Sequence, residues 1–171
     1  MVYDLKGDLL NSHCQFICHQ VNCQGKMGSG VARVIREKWP IVFERYKERY
    51  EYALDMAMND KTSNSTVSSY LLGTVQFVPL YEDYWTDTKH QHVINMFAQN
   101  NYGYDGKQYT SYDAFWSCLQ QIAAHTPIGE SIAFPDHIGC CRGGANWAVI
   151  KTMIIEVLGK DYNVWFYKLE D

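Results

Sequence analysis

The sequence lacks several features that would place it in common functional classes. No apolar run approaches the ~20 residues that a membrane-spanning helix needs, and residues 1–4 lack the basic and apolar regions of a signal peptide. Acidic residues outnumber basic ones by 19 to 15, so the net charge of -4 offers no broad attraction to nucleic acids or anionic membranes. We therefore expect a cytoplasmic protein that binds no membrane and no free nucleic acid.

The six cysteines follow no regular framework, and neither C-x-x-C nor H-x-x-x-H spacing occurs. In a cytosolic chain of this size, reduced thiols in the core or in loops are the expected state. A zinc site that combines Cys14, Cys18 and Cys23 with His13 or His19 is the alternative. We expect no metal and no cofactor.

Two well-known phosphate-binding motifs are also missing. There is no G-K-[ST] of a P-loop, and the G-x-x-G-x-G spacing at 25–30 departs from the dinucleotide motif G-x-G-x-x-G. The run N-C-Q-G-K-M-G-S-G at 22–30 nevertheless separates an apolar stretch, 14–21, from a helical pattern, 31–39. A strand, a glycine-rich loop and a helix in this order bring backbone N–H groups and a helix N-terminus together, which suits a phosphate or diphosphate. An ordinary tight turn without a ligand is the alternative.

The rest of the chain alternates between strand and helix patterns. Its 171 residues suit one domain, 1–171, with an exposed, mobile connection at 59–69. Strands are predicted at 2–5, 14–21, 71–80, 92–98, 131–135 and 163–168, and helices at 31–39, from Pro40 onward, at 111–124 and at 146–158. An aromatic, acidic segment, 81–89, links two of the strands. This alternation predicts an α/β/α sandwich with a mixed sheet.

A second glycine-containing loop, 138–144, also follows a predicted strand and precedes a helix. Ligands of open α/β sheets lie beyond the carboxyl ends of the strands, so the two loops are expected to converge on one ligand. Two convergent loops suit a diphosphate better than a single phosphate.

Five short motifs occur in order: K-G-D-L-L at 6–10, I-C-H-Q-V-N-C at 17–23, N-M-F-A-Q at 95–99, Y-G-Y-D-G-K at 102–107 and F-P-D-H-I-G-C at 134–140. In this combination the chain resembles the macro domain family. The resemblance is greatest to the small bacterial, phage and yeast-type members described as ADP-ribose 1''-phosphate phosphatases. It extends from Val2 to about Tyr167 and implies a three-layer α/β/α sandwich that binds ADP-ribose.

The resemblance also implies roles for particular residues. Asp8 would accept a hydrogen bond from the adenine amino group, Asn22 would orient the distal ribose, and Tyr167 would stack on adenine. The candidate ligand-binding residues are Asp8, Leu9, Asn22, Gly28, Ser29, Gly30, Ile138, Gly139, Cys140, Cys141, Arg142, Gly143, Gly144 and Tyr167. Asp8 as a turn or cap residue and Asn22 as a loop brace are the alternatives. On strand alternation, either Phe166 or Tyr167 belongs to the core, and we expect Tyr167 to be the exposed residue.

His19 and Asp105 match positions that are associated with catalysis in the phosphatase-like members. A histidine can donate a proton to a leaving oxygen, attack phosphorus or orient water, and an aspartate can hold the ring or activate the water. The alternatives are a buried, satisfied His19 and an Asp105 that only forms the Asp-Gly turn. His137, beside the second loop, is a weaker acid-base candidate.

The second loop departs from the family pattern I-G-C-G-x-x-G-G-D-W at two positions. Cys141 stands in place of a glycine and needs a backbone angle that tolerates a Cβ, and Asn146 stands in place of an acid. The leading hypothesis is a monomeric hydrolase that removes phosphate from ADP-ribose 1''-phosphate. The alternatives are removal of ADP-ribose from a protein or nucleobase and a non-catalytic ADP-ribose-binding module.

Overall fold

The computed structural model describes residues 1–61, 64–81 and 91–170. These residues contain a six-stranded sheet and five α-helices, and a short 3-10 turn, Leu9–Asn11, follows the first strand. In chain order the elements are β1 Val2–Lys6, β2 Phe16–Val21, α1 Gly30–Lys38, α2 Pro40–Asn59, α3 Val67–Leu71, β3 Val75–Pro79, β4 His92–Phe97, α4 Tyr112–His125, β5 Ser131–Pro135, α5 Trp147–Leu158 and β6 Asn163–Lys168.

The strand order across the sheet is β1-β6-β5-β2-β4-β3. Strand β3 runs antiparallel to β4, and every other neighbouring pair is parallel. The predicted mixed sheet is therefore confirmed. Because five strands run in one direction, the loops that follow β1, β2, β4, β5 and β6 all leave the same edge of the sheet.

Each face of the sheet packs against its own helical layer. On one face, Ile17 and Val21 of β2 pack with Ile35 of α1 and Tyr46 of α2. On the other face, Cys18 of β2 shares a core with residues of α4 and α5. Successive side chains of a strand point to opposite faces, so β2 contributes to both cores. This arrangement confirms the predicted three-layer α/β/α sandwich.

Local sequence signals explain several helix boundaries. Pro40 is the first residue of α2, where its missing N–H costs no helical hydrogen bond. Ser111 Oγ accepts a hydrogen bond from Ala114 N at the start of α4, at 3.2 Å. None of the described helices is long and apolar enough to cross a membrane.

Three predicted segments differ from the structure. The second strand begins at Phe16, two residues later than predicted, and the third begins at Val75, because Leu71 ends a helix and Gly73 turns the chain at φ 86°. The predicted connection 59–69 is shorter at both ends. The helix α2 includes Asn59, and the helix α3, which hydrophobic periodicity did not predict, begins at Val67. Residues 62–63 of that connection, and all but Tyr81 of the segment 81–89, lie outside the described residues. The single domain and the mobility of the connection stay predictions.

Candidate functional site

A cleft of ≈ 790 Å³ opens at the edge of the sheet where β2, β4 and β5 end. Both glycine loops contribute to it, the first through residues 28–30 and the second through residues 138, 139 and 141–143. Residues 99 and 102–104, which follow β4, form part of the wall, and side chains of α1 and α2 complete it. The two loops therefore meet at one cleft, as the order of the strands implies.

The first loop places the start of α1 at the cleft. Ser29 occupies the N-cap position, but its side chain makes no capping hydrogen bond. The first amide N–H groups of an α-helix have no intrahelical acceptors, so these donors remain available to a ligand. Gly30 adopts φ 60°, a conformation that favours glycine, whereas Gly28 has open space where a Cβ would lie.

Asn22 lines the cleft, but its amide braces the first loop. Its Oδ1 accepts hydrogen bonds from Gln24 N at 2.9 Å and from the Tyr46 hydroxyl at 2.8 Å. Its Nδ2 donates to the carbonyl oxygen of Lys26 at 2.9 Å. These three hydrogen bonds to protein atoms hold the first loop in place. The ribose contact implied for Asn22 stays a prediction.

The second loop is tied to the segment that precedes α4. Gly143 O accepts hydrogen bonds from Tyr109 N at 2.8 Å and from Thr110 N at 3.0 Å. A Cβ at Gly143 would overlap Thr110 Oγ1 and the carbonyl oxygen of Gly139, so only glycine fits there. Cys141 does not adopt a positive φ, which explains how the loop accommodates a cysteine in place of a glycine.

The cleft is locally basic although the chain as a whole is acidic. Its lining includes the cations Lys26, Arg36, Lys47 and Arg142. Among the described residues of the lining, Asp136 is the one acid. None of the four cations has a carboxylate partner in the described part of the chain. Uncompensated positive charge beside open backbone N–H groups favours an anionic ligand.

Asp136 and His137 form a fixed pair at the end of β5. His137 Nδ1 lies 2.6 Å from Asp136 Oδ2, and the ring stacks on Trp147 with centroids 5.0 Å apart. His137 adopts φ 57°, the left-handed region that few residues other than glycine enter. Because a carboxylate only accepts hydrogen bonds, Asp136 holds the proton on Nδ1, and His137 is among the residues that line the cleft. In the sequence this pair is visible as an Asp-His dipeptide directly before the second loop. From the sequence alone, His137 is a weaker acid-base candidate than His19.

His19 lies in the core and not in the cleft. Its side chain is fully buried on the face of β2 that packs against α1 and α2. Its ring donates from Nε2 to Asn95 Oδ1 at 2.5 Å, because Asn95 Nδ2 donates to Gln76 Oε1 at 3.0 Å. Burial lowers the pKa of His19 to about 4, so the ring is neutral near neutral pH. The geometry gives no support to the catalytic role predicted for His19, because strand alternation turns its side chain toward the helices.

Asp105 is also absent from the residues that line the cleft. The Tyr109 hydroxyl donates its one proton to the Asp105 carboxylate and lies 2.8 and 2.9 Å from its two oxygens, and Lys107 N donates to Oδ1 at 3.2 Å. The Tyr109 hydroxyl, followed by the Lys107 amide, lowers the pKa of Asp105. Asp105 nevertheless adjoins Tyr104, which lines the cleft.

Five predicted ligand-binding residues lie outside the lining of the cleft: Asp8, Leu9, Cys140, Gly144 and Tyr167. Asp8 caps the 3-10 turn by accepting from Leu10 N at 2.9 Å, and Leu9 is buried. Phe166 is in the core, as strand alternation predicts, but Tyr167 is half-buried against the core beneath α1 and α2 and not exposed as expected. Asp8 follows β1 and Tyr167 lies near the end of β6, and both strands end at the edge of the sheet where the cleft opens.

Asn146 caps α5 and does not contribute to the cleft. Its Oδ1 accepts hydrogen bonds from Ala148 N at 2.9 Å and from Val149 N at 3.4 Å. An amide performs this capping role as well as a carboxylate does. In the described residues, no group of three or more His, Cys, Asp or Glu side chains is placed to hold a metal ion, and all six cysteines are free thiols.

The fold matches that of solved macrodomains, and the resemblance seen in the sequence is confirmed at the level of the fold. The macrodomain of Mycobacterium tuberculosis DarG has a TM-score of 0.72 over 98% of this chain and 97% of that chain, at 19% identity. Thermosipho africanus DarTG, in a structure with ADP-ribose, has a TM-score of 0.71 at 18% identity, over 97% of this chain and 41% of that chain.

No family model matches the chain, but sequence comparison finds a curated relative. The chain is 25% identical over 117 residues to an ADP-ribose 1''-phosphate phosphatase of Aspergillus oryzae. The match spans 60% of this chain and 58% of that protein, so the chain spans little more than half the length of the relative.

Proposed function

We propose that this chain binds ADP-ribose or a derivative of it in the cleft and removes the phosphate from ADP-ribose 1''-phosphate. One observation carries the proposal: two amide-rich glycine loops meet in one cleft, beside four cations without carboxylate partners in the described residues. Backbone N–H groups and a helix N-terminus are well suited to a diphosphate. The macrodomain fold, the complex of DarTG with ADP-ribose and the Aspergillus phosphatase support the choice of ligand.

The order of the strands suggests how the ligand lies. Asp8 follows β1, Tyr167 is the second-last residue of β6, the glycine loops follow β2 and β5, and residues 99–105 follow β4. An extended ligand along this edge would have adenine near β1 and β6, the diphosphate between the loops and the distal ribose near β4. The adenine contacts of Asp8 and Tyr167 are part of this proposal.

The reaction would then occur beside residues 102–105. Asp105 would swing from Tyr109 to take a proton from a water molecule, whose oxygen bonds to phosphorus as the bond between phosphorus and O1'' breaks. The products are inorganic phosphate and ADP-ribose, and O1'' takes its proton from solvent. Catalytic hydrogen bonds are often incomplete without the substrate, so the contact between Asp105 and Tyr109 is compatible with this role. Backbone donors of the two loops would stabilise the developing negative charge.

A binding module without turnover is the second candidate. It is favoured by the placement of the two predicted catalytic side chains, since His19 is in the core and Asp105 is held by Tyr109. Such a protein would bind ADP-ribose in the same cleft and release no phosphate.

Phosphate release from ADP-ribose 1''-phosphate separates the two candidates. We expect release by the native chain and a roughly hundredfold lower kcat for Asp105→Asn, because the amide cannot accept the proton of the water. Asp161→Asn is the matched control, since Asp161 is exposed and precedes β6, at the opposite edge of the sheet. Full activity of Asp105→Asn would contradict the mechanism. Tight ADP-ribose binding with no release by the native chain would identify the binding module, and release of ADP-ribose from a modified protein or nucleobase would identify the other hydrolase.

A further inference from the structure

Arg142 of the second loop and Tyr104 of the segment after β4 form a pair on the wall of the cleft. Arg142 Nη1 donates to the Tyr104 hydroxyl at 2.9 Å, and Arg142 Cζ lies 4.5 Å from the centroid of the Tyr104 ring. The hydrogen bond and the cation–π contact together favour a position of the guanidinium beside the Tyr104 ring, and both side chains are exposed to solvent. No carboxylate in the described residues neutralises its charge.

The backbone behind this pair is held together. Thr110 Oγ1 donates to the carbonyl oxygen of Gly139 at 2.8 Å, in addition to the two bonds that Gly143 O accepts from residues 109 and 110. The two segments that carry Arg142 and Tyr104 are thereby joined by three hydrogen bonds. An arginine that is already oriented loses less side-chain freedom when it binds an anion.

The pair belongs to the end of the cleft that lies toward β4. Tyr104 follows β4, and β4 lies on the far side of β2 from β5 and β6. A ligand with its diphosphate between the loops and its adenine toward β6 would have its distal ribose beside Tyr104 and Arg142. This placement rests on the function proposed above.

We infer that Arg142, positioned by Tyr104, recognises the phosphate on the distal ribose and determines the preference of the cleft for the phosphorylated ligand. A guanidinium carries five N–H donors in a planar fork that matches phosphate oxygens. One Nη1 donor is used by Tyr104, and the others remain for the phosphate. ADP-ribose has no group at this position that carries a comparable charge, so the arginine discriminates between the two ligands.

Calorimetric titration with ADP-ribose and with ADP-ribose 1''-phosphate tests this inference, with the ligand checked by chromatography after each titration at low temperature. The quantity of interest is the ratio of the two dissociation constants. We expect the native chain to prefer the phosphorylated ligand at least about tenfold, and Arg142→Gln to lower this preference about tenfold. Tyr104→Phe keeps the ring and removes the hydroxyl, so the preference should fall about threefold.

Arg45→Gln is the matched control, because Arg45 is an exposed arginine of α2 outside the cleft and its replacement removes the same charge. Its ratio should equal that of the native chain. An unchanged ratio in Arg142→Gln, with both ligands still binding, would overturn the inference and leave the proposed function intact. Failure of the native chain to bind either ligand would remove the proposed function and the inference with it.

Discussion

His19 and His137 both belong to segments that approach the same edge of the sheet, yet their environments are opposite. His19 is fully buried, and its one hydrogen-bond partner is Asn95 within the core, while its Nδ1 has no partner in the described residues. His137 has 49% of its side chain exposed, is paired with Asp136 and lines the cleft. The two rings therefore differ in their access to a ligand and to protons.

The difference arises from their positions relative to the strand ends. His19 lies inside β2, two residues before its last residue, where alternation directs the side chain onto the layer of α1 and α2. His137 lies two residues beyond the end of β5, where a left-handed backbone conformation redirects the chain into the second loop. Position relative to the strand end therefore explains why one of these two histidines reaches the cleft and the other does not.

The largest expected effect concerns the pH dependence of stability. Burial lowers the pKa of His19 to about 4 in the folded chain, against an ordinary value of 6.5. Between these values the unfolded chain binds a proton that the folded chain does not, so the free energy of unfolding rises with pH. The stabilisation is complete above pH ~6.5 and is lost as the pH falls toward ~4, a total of about 3 kcal/mol.

Urea unfolding at several values between pH 4 and pH 7, of the native chain and of His19→Gln, measures this effect. In His19→Gln the free energy of unfolding should rise less steeply with pH than in the native chain, because the contribution of His19 is lost. His125→Gln, which replaces an exposed histidine at the end of α4, should keep the native slope. Identical slopes for the native chain and His19→Gln would show that the ring is not held neutral by burial.

A smaller effect is expected at His137. Asparagine tolerates the left-handed backbone conformation, so His137→Asn removes the ring contact with the cleft while it keeps the course of the loop. We expect ADP-ribose affinity to fall about fivefold, equivalent to about 1 kcal/mol, because one hydrogen bond to the ligand is lost. Calorimetry measures the affinity, and urea unfolding at neutral pH verifies the fold. An affinity equal to that of the native chain would show that His137 does not contact the ligand.

Most of the fold could be predicted because periodicity and turn residues agree along the chain. The bounds of β5 and β6 match the prediction, and Pro40 marked the start of α2. The helix α3 was missed because its five residues are too few to show a period of 3.6. Thr66 and Ser69 form a capping box at the start of α3. In the sequence this signal is hard to recognise, because the surrounding stretch is rich in serine and threonine.

The candidate site was predicted less completely than the fold. Glycine spacing located the two loops, because a positive φ at Gly30, Gly139 and Gly144 leaves a direct trace in the sequence. Strand alternation shows that His19 and Gln20 point to opposite faces, but the sequence does not show which residues of β2 reach the cleft, so His19 ranks above His137 in the sequence. The basic character of the cleft was also hidden, since Lys26, Lys47 and Arg142 are far apart in the chain and the overall charge is negative.

The central claim is that the two glycine loops form one binding site for a diphosphate. Ser29→Asp tests it, because a carboxylate at the N-cap should satisfy the open amides of α1 and repel an anionic ligand. Calorimetric titration with ADP-ribose should show binding by the native chain and an affinity at least about tenfold lower for Ser29→Asp, with the stability of the variant maintained. The absence of binding by the native chain at millimolar ADP-ribose, or equal affinity in Ser29→Asp, would contradict the claim.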